Sequence, residues 1–203
     1  MIKTIRYYAN KVFLKLQTYA FLPLLWRGTR SGIIGLCCFF FLTSFTWRTY
    51  LSYDSPQEIV QANATLFYVR ASNSLYSYDT KDQSVRTFDK VNGLSDCNIT
   101  HIAYNKAAHR LVVAYENQNI DLVNDAGQVT NVSAYYNTST TDNKTINSLY
   151  AYNRYVFMAT AFGIVKLNAA EAEVSDTYKL GFSVDYCYVR DGQIYAASKA
   201  AGI

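Results

Sequence analysis

From residue 57 onward one pattern of short strand-forming runs is written four times, and it limits the fold more than any other feature. Leu66-Phe67-Tyr68-Val69, a turn at Ser72-Asn73-Ser74, Leu75-Tyr76-Ser77-Tyr78, a turn at Asp79–Asp82, and Ser84-Val85-Arg86-Thr87-Phe88 make up the first copy. The second runs through Leu111–Tyr115, Ile120–Val123 and Gln128–Val132, and the third through Tyr155–Ala159, Ile164–Leu167 and Glu173–Tyr178. A fourth begins at Tyr186-Cys187-Tyr188-Val189, turns at Asp191-Gly192 and continues through Gln193–Ala197. The third strands start at Leu75, Ile120, Ile164 and Ile203, which is 45, 44 and 39 residues apart. Each copy opens with its own apolar segment: Ile59-Val60, Ile99 with Ile102, Ile146 with Leu149, and Val184. The runs are too short for ordinary helices and rich in Val, Ile, Thr, Tyr and Phe, which suit a pleated sheet.

Four strands per ~40–45 residues is the period of β-propeller blades. One such sheet cannot bury both faces, so it must lean on neighbours. The expected fold is therefore all-β: a partial β-propeller of about three complete four-stranded blades plus part of a fourth, after an N-terminal helical signal or anchor segment. The expected blades are residues 57–90, 97–134, 144–179 and 183–203 of a domain spanning 47–203. The competing arrangement is a β-sandwich, which also spaces short strands regularly. The last unit stops at Gly202-Ile203, where a third strand should begin, so the sequence reads as the N-terminal piece of a longer protein.

The formal charge of +4 is unevenly placed. Residues 1–46 hold six of the 19 basic residues and none of the 15 acidic ones, which leaves the remainder at −2. The charge argument for nucleic-acid binding falls away with that split. The leader's centre, Gly32 to Phe45, is GIIGLCCFFFLTSF, shorter than the ~20 apolar residues of a membrane-spanning helix. It fits the apolar region of a secretory signal behind a basic stretch, with Ser44 and Thr46 as a weak cleavage signature before Trp47. A short membrane anchor is the alternative, and either way membrane contact is confined to the leader. Cys37 and Cys38 lack the small preceding residue that lipidation requires.

No catalytic or metal-ligating constellation stands out. Cys97 and His101 are four apart on an expected inner strand, about 13 Å, too far for a nucleophile–base contact. Cys97 is therefore expected as a buried free thiol at the start of that strand. A Cys97–Cys187 disulfide would need Cα atoms within ~7 Å across two blades. The two His and two Cys beyond the leader lack zinc-ligand spacing. The acidic turns at Asp79, Asp82, Asp125 and Asp191 read as turn chemistry and not as calcium loops. Five Asn-x-Ser/Thr sequons occur, at Asn63, Asn98, Asn131, Asn137 and Asn143, the last two in an Asn/Thr-rich linker over 137–145. Most of the 19 Tyr are expected as sheet packing; Tyr135-Tyr136, set in a polar loop, is the candidate exposed binding pair.

Asn92-Gly93-Leu94-Ser95-Asp96, followed by Asn98-Ile99, resembles the linker of the bacterial regulator-propeller repeat. Ala159-Thr160-Ala161-Phe162-Gly163-Ile164 looks like that repeat's small-residue turn with a Gly-led third strand. Together with Trp47–Tyr53, Asn119–Leu122 and Asp176-Thr177-Tyr178, these elements resemble the N-terminal propeller of PorZ-like accessory proteins of type IX secretion, over roughly residues 47–182. The resemblance implies a non-enzymatic module with no cofactor, in the periplasm or at the outer-membrane surface of a Gram-negative bacterium. It implies partners among secretion-system surface proteins, including a sortase-like one, and lipopolysaccharide or another glycan. The alternative from the same repeat is the periplasmic sensor propeller of a hybrid two-component regulator that recognises carbohydrate. A propeller lyase or glycosidase is disfavoured, because no paired carboxylates stand out on inner strands.

Overall fold

A computed structural model of the chain describes residues 53–202. The expected leader over 1–46, the cleavage signature expected before Trp47 and the third strand expected to begin at Ile203 lie outside the described residues. Among the described residues, fourteen strands fall into three four-stranded antiparallel sheets and a hairpin. Sheet 1 is β1 (Pro56–Gln61), β2 (Leu66–Ala71), β3 (Ser74–Asp79) and β4 (Val85–Phe88). Sheet 2 is β5 (Ile99–Asn105), β6 (Arg110–Tyr115), β7 (Ile120–Asn124) and β8 (Val129–Asn131). Sheet 3 is β9 (Ile146–Tyr152), β10 (Tyr155–Thr160), β11 (Gly163–Asn168) and β12 (Glu173–Lys179). The hairpin is β13 (Tyr186–Arg190) and β14 (Gln193–Ala197). Strands within each sheet follow chain order, so every sheet is a meander, and first strands neighbour first strands from sheet to sheet. The architecture is the expected partial propeller, with corrections of detail. The third strands of sheets 1 and 3 begin one residue early, at Ser74 and Gly163, and Val184 is buried ahead of β13 rather than in a strand.

Local chemistry sets the turns. Ser72 and Asn73 both have positive φ, as do Asp191 and Gly192, the pattern of a type I′ hairpin that matches strand twist. Asp79 Oδ1 accepts from the Lys81 amide at 2.8 Å and Asp82 Oδ1 from that of Ser84 at 2.9 Å. These carboxylates stand in for backbone acceptors.

The core lies between the sheets. Tyr68, Leu75 and Phe88 of sheet 1 meet Ile102, Tyr104, Leu111, Val113 and Tyr115 of sheet 2. Within that cluster the Tyr68 and Tyr104 rings stack with centroids 6.1 Å apart. Ala103, Val112, Ile120 and Leu122 of sheet 2 meet Val156, Met158, Val165 and Leu167 of sheet 3. Phe157, Ala159 and Ile164 of sheet 3 meet Cys187 and Val189 of the hairpin. Alternation along each strand sends one residue to the sheet before and the next to the sheet after. Register makes Ile59, Ile102, Leu149 and Cys187 equivalent, as are Val60, Ala103, Tyr150 and Tyr188. Among the described residues no sheet lies against the outer faces of sheet 1 and the hairpin. There Ile59 is 67% exposed and Tyr188 52% exposed, although their equivalents are buried or half-buried.

Candidate functional site

The residues singled out from sequence separate into structural clips and one cleft. The Asn92–Asp96 segment joins sheet 1 to sheet 2. Asp89 accepts from the Asn92 amide through Oδ1 at 2.8 Å and from the Leu94 amide through its carbonyl at 3.0 Å. Gly93 takes φ +111°, a conformation other residues avoid, and this drives Leu94 into the core between the sheets. The Ser95 amide donates to Asp121 Oδ2 at 2.7 Å, and Asp96 accepts from the Cys97 amide at 3.0 Å and from the Asn117 side chain.

Asp121 is the hub that sequence reading missed. It is fully buried on β7 and accepts from the Tyr115 hydroxyl at 2.6 Å and the Asn131 side chain at 2.8 Å as well as from Ser95. Burial, then the hydrogen bond to Asp121, pushes the Tyr115 phenol well above its ordinary range, so it stays a donor. The available signal was a carboxylate inside the apolar run Ile120-Asp121-Leu122-Val123.

A second clip joins the inner strands β1 and β5. Glu58 Oε1 lies 2.8 Å from His101 Nδ1, while its Oε2 accepts from the Ile102 amide at 2.9 Å and Arg70 Nε at 3.3 Å. Burial alone would raise the Glu58 carboxyl; the His101 and Ile102 hydrogen bonds and the nearby positive charges outweigh it and hold it low. His101 thus pairs with Glu58. Cys97 is exposed, in the loop ahead of β5, which corrects the expectation of a buried thiol on the strand. The polar cluster around it (Asp96, Asn98, Glu116 and Asn117) is why burial fails there. Cys187 is buried, and desolvation pushes its thiol up to about 11. Both thiols are free. His109 lies beside Asp125 at 3.3 Å, both largely exposed. Among the described residues no group of three or more His, Cys, Asp or Glu gathers as metal ligands.

Gly163 is where backbone approaches backbone. A Cβ there would sit 2.1 Å from the Tyr178 carbonyl oxygen of β12. Thr160 Oγ1 donates to the Gly163 carbonyl at 2.9 Å, turning Phe162 outward against the core between sheets 2 and 3, while Ile164 enters the core between sheet 3 and the hairpin.

The cleft lies at that corner, between residues 134–144 and the outer strand β12. The polar loop expected around Tyr135-Tyr136 forms a one-turn helix, α1 (Ala134–Asn137), which ends where the 137–145 linker begins. Tyr135 on α1 is 4% exposed and donates its hydroxyl to the Lys144 carbonyl at 2.7 Å. Lys144 Nζ in return reaches the carbonyls of Tyr135, Tyr136 and Thr138 at 3.2, 2.8 and 3.1 Å. The expected exposed pair is thereby corrected: Tyr135 is core and only Tyr136, 48% exposed, faces water. Helical geometry turns neighbouring side chains about 100° apart, so one of the pair goes inward. The cavity measures about 180 Å³ and is lined by Tyr135, Thr140, Asp142, Phe162, Thr177 and Lys179, among others. Lys179 Nζ pairs with Asp142 Oδ2 at 2.8 Å at its rim.

Comparison with known proteins gives the architecture a family. The family description "TSS9, PorZ, N-terminal beta-propeller domain" matches residues 67–203. Among solved structures, PorZ from Porphyromonas gingivalis, described as an essential surface component of the type-IX secretion system, is similar at 29% identity and TM-score 0.64. That match covers 76% of this chain and 22% of that one. The extracellular domain of a putative hybrid two component system from B. thetaiotaomicron shares the fold at 17% identity and TM-score 0.55, covering 78% of this chain and 23% of that one. A putative one component system from the same organism does so at 15% and 0.58, covering 74% and 21%. The chain therefore spans about a fifth of the length of these solved relatives. No curated protein matches it. The propeller period, the Asn92–Asp96 clip and the match over residues 67–203 lead to one assignment: the chain belongs to the PorZ N-terminal β-propeller family.

Proposed function

We propose that this chain is a non-enzymatic binding and scaffolding module of a PorZ-like surface protein that supports type IX secretion and the attachment of cargo to the cell surface. The reading takes residues 1–46 as an export signal or anchor and 47–203 as the propeller. Its partners are other secretion-system surface proteins, including a sortase-like one, and lipopolysaccharide or another glycan. It places the mature protein in the periplasm or at the outer-membrane surface. The family match over residues 67–203 carries it.

The test is deletion of the whole gene in its native host, with cargo followed by cell fractionation. Cargo should lose its attachment to the surface and regain it when the gene is restored; normal attachment in the deletion strain refutes the reading. Retention of the full-length protein on immobilised lipopolysaccharide, against a control protein, tests the glycan partner. The fold likeness to the B. thetaiotaomicron extracellular domains favours a second reading, the sensor propeller of a hybrid two-component regulator that recognises carbohydrate. The gene beyond codon 203 separates the two: a membrane helix and kinase for the sensor, a second propeller and C-terminal secretion domain for the secretion component.

A further inference from the structure

We propose that the cleft between residues 134–144 and β12 takes a single uncharged sugar ring, its apolar face on Phe162 and Val174 and its hydroxyls on Asp142, Ser139 and Thr177. The inference rests on the surface-binding reading above and goes further by naming the place and the charge class of the ligand.

Size comes first. At about 180 Å³ the cavity is smaller than the ~300–1,000 Å³ typical of sites for drug-sized ligands, so it admits one ring and not a chain. Charge comes second. Two lysines line the cleft and suggest an anion site, but neither is available for one. An ammonium has three donors, and Lys144 aims its group at three backbone carbonyls. The Lys179 ammonium is matched by Asp142 at 2.8 Å, and an incoming anion would have to displace that carboxylate or sit beside it.

The remaining groups suit a polyol. The hydroxyls of Ser139 and Thr177 line the cleft without a protein partner among the described residues. Thr138 Oγ1 donates to the Ala134 carbonyl at 2.8 Å and Thr140 Oγ1 to Asp142 Oδ2 at 3.0 Å, so both keep lone pairs for a ligand's hydroxyls. Asp142 accepts charge-assisted hydrogen bonds, the strong kind. Phe162, Val174 and the buried Tyr135 ring supply apolar walls. A hydrocarbon ligand would strand the hydroxyls, a phosphate would strand the apolar walls, and the charge of a phosphate or a uronate would meet Asp142. A sugar ring has one apolar face and a periphery of groups that both donate and accept, which answers each of these surfaces.

The test uses the full-length protein in saturation-transfer NMR and calorimetry with glucose, galactose, mannose and N-acetylglucosamine, beside glucuronate and inorganic phosphate. At least one neutral sugar should bind with a millimolar dissociation constant, about 1–10 mM, and the two anions should bind at least about tenfold more weakly. Asp142→Asn and Thr177→Val should each weaken the neutral sugar about fivefold or more, whereas Tyr136→Ala, outside the lining, should leave it unchanged. Thr177 is an exposed strand residue, so T177V keeps the fold if the isosteric Asp142 variant does not. The proposal is overturned if no neutral sugar binds by about 20 mM, if glucuronate or phosphate binds more tightly, or if both cleft variants bind like the wild type. Sugar binding that survives both variants removes the cleft alone; the broader function stands or falls on cargo attachment in the deletion strain.

Discussion

Replacing Asp121 by Ala should be the most damaging single change on the surface between sheets 1 and 2. The carboxylate is fully buried and receives three donors, from Tyr115, Ser95 and Asn131, at 2.6 to 2.8 Å. Truncation leaves the Tyr115 hydroxyl and the Ser95 amide without their acceptor beside a fully buried position, while Asn131 Nδ2 keeps the Ile120 carbonyl at 3.1 Å and Asn119 Oδ1 at 3.0 Å. Each stranded group costs about 1–3 kcal/mol, and because the two share one partner the costs do not simply add. A total of about 2–5 kcal/mol is expected from the two stranded donors, against a whole-domain stability of about 5–15 kcal/mol. Asp121→Asn keeps one acceptor oxygen and turns an amide toward the remaining donors, so it should cost about 1–3 kcal/mol. Urea unfolding of the full-length protein followed by hydrogen exchange resolves both quantities. The peptide containing residues 92–98 should lose protection first, because the Ser95 amide gives up its acceptor. A D121A midpoint within about 1 kcal/mol of wild type, or unchanged protection over 92–98, would refute the argument that this carboxylate clips the linker to sheet 2.

Gly163→Ala should prevent correct assembly of sheet 3, at a cost of about 3 kcal/mol or more, because the added carbon meets backbone at 2.1 Å; Gly192→Ala, with open space around it, should cost about 1 kcal/mol. Soluble yield and urea midpoint measure the contrast. Glu58 is held below its ordinary value of 4.5, so its contribution is fully present above that pH and is lost as pH falls through the lower, folded-state value. Glu58→Gln should therefore lower the unfolding midpoint at pH 7, and the gap should close below pH 4.5; a constant gap across that range would sink the assignment. Peptide mapping after brief thiol labelling should find Cys97 modified in the folded protein and Cys187 modified only on unfolding, since the first is exposed and the second buried with its thiol raised to about 11. Equal labelling of the two would contradict the packing of β13 against sheet 3.

The candidate cleft shows where sequence reasoning stops. Tyr135 and Phe162 were both visible as residues worth attention, one as an aromatic in a polar stretch and the other as part of a repeat element. Nothing in their spacing indicated that they line the same cavity. That depends on the linker after β8 folding back onto β12, which is set by Lys144 reaching three carbonyls and by the Tyr135 hydroxyl reaching the Lys144 carbonyl. Cys97 failed for a related reason. Its distance from Ile99 in sequence suggested a strand, while the Asp96 and Asn98 contacts hold it in the loop.

Strand identity and the period of the repeat were determined by the sequence alone, because alternation and turn chemistry are local: Asp79, Asp82 and Asp191-Gly192 mark the turns wherever the sheets go. Which charges would be buried, which tyrosine of the pair would face water and what would share a cavity were decided only by tertiary structure. Those outcomes depend on one sheet closing over another, and Asp121 is neutral to its neighbours along the chain until Ser95 arrives from 26 residues away. A buried acceptor is defined by donors that come from elsewhere in the fold.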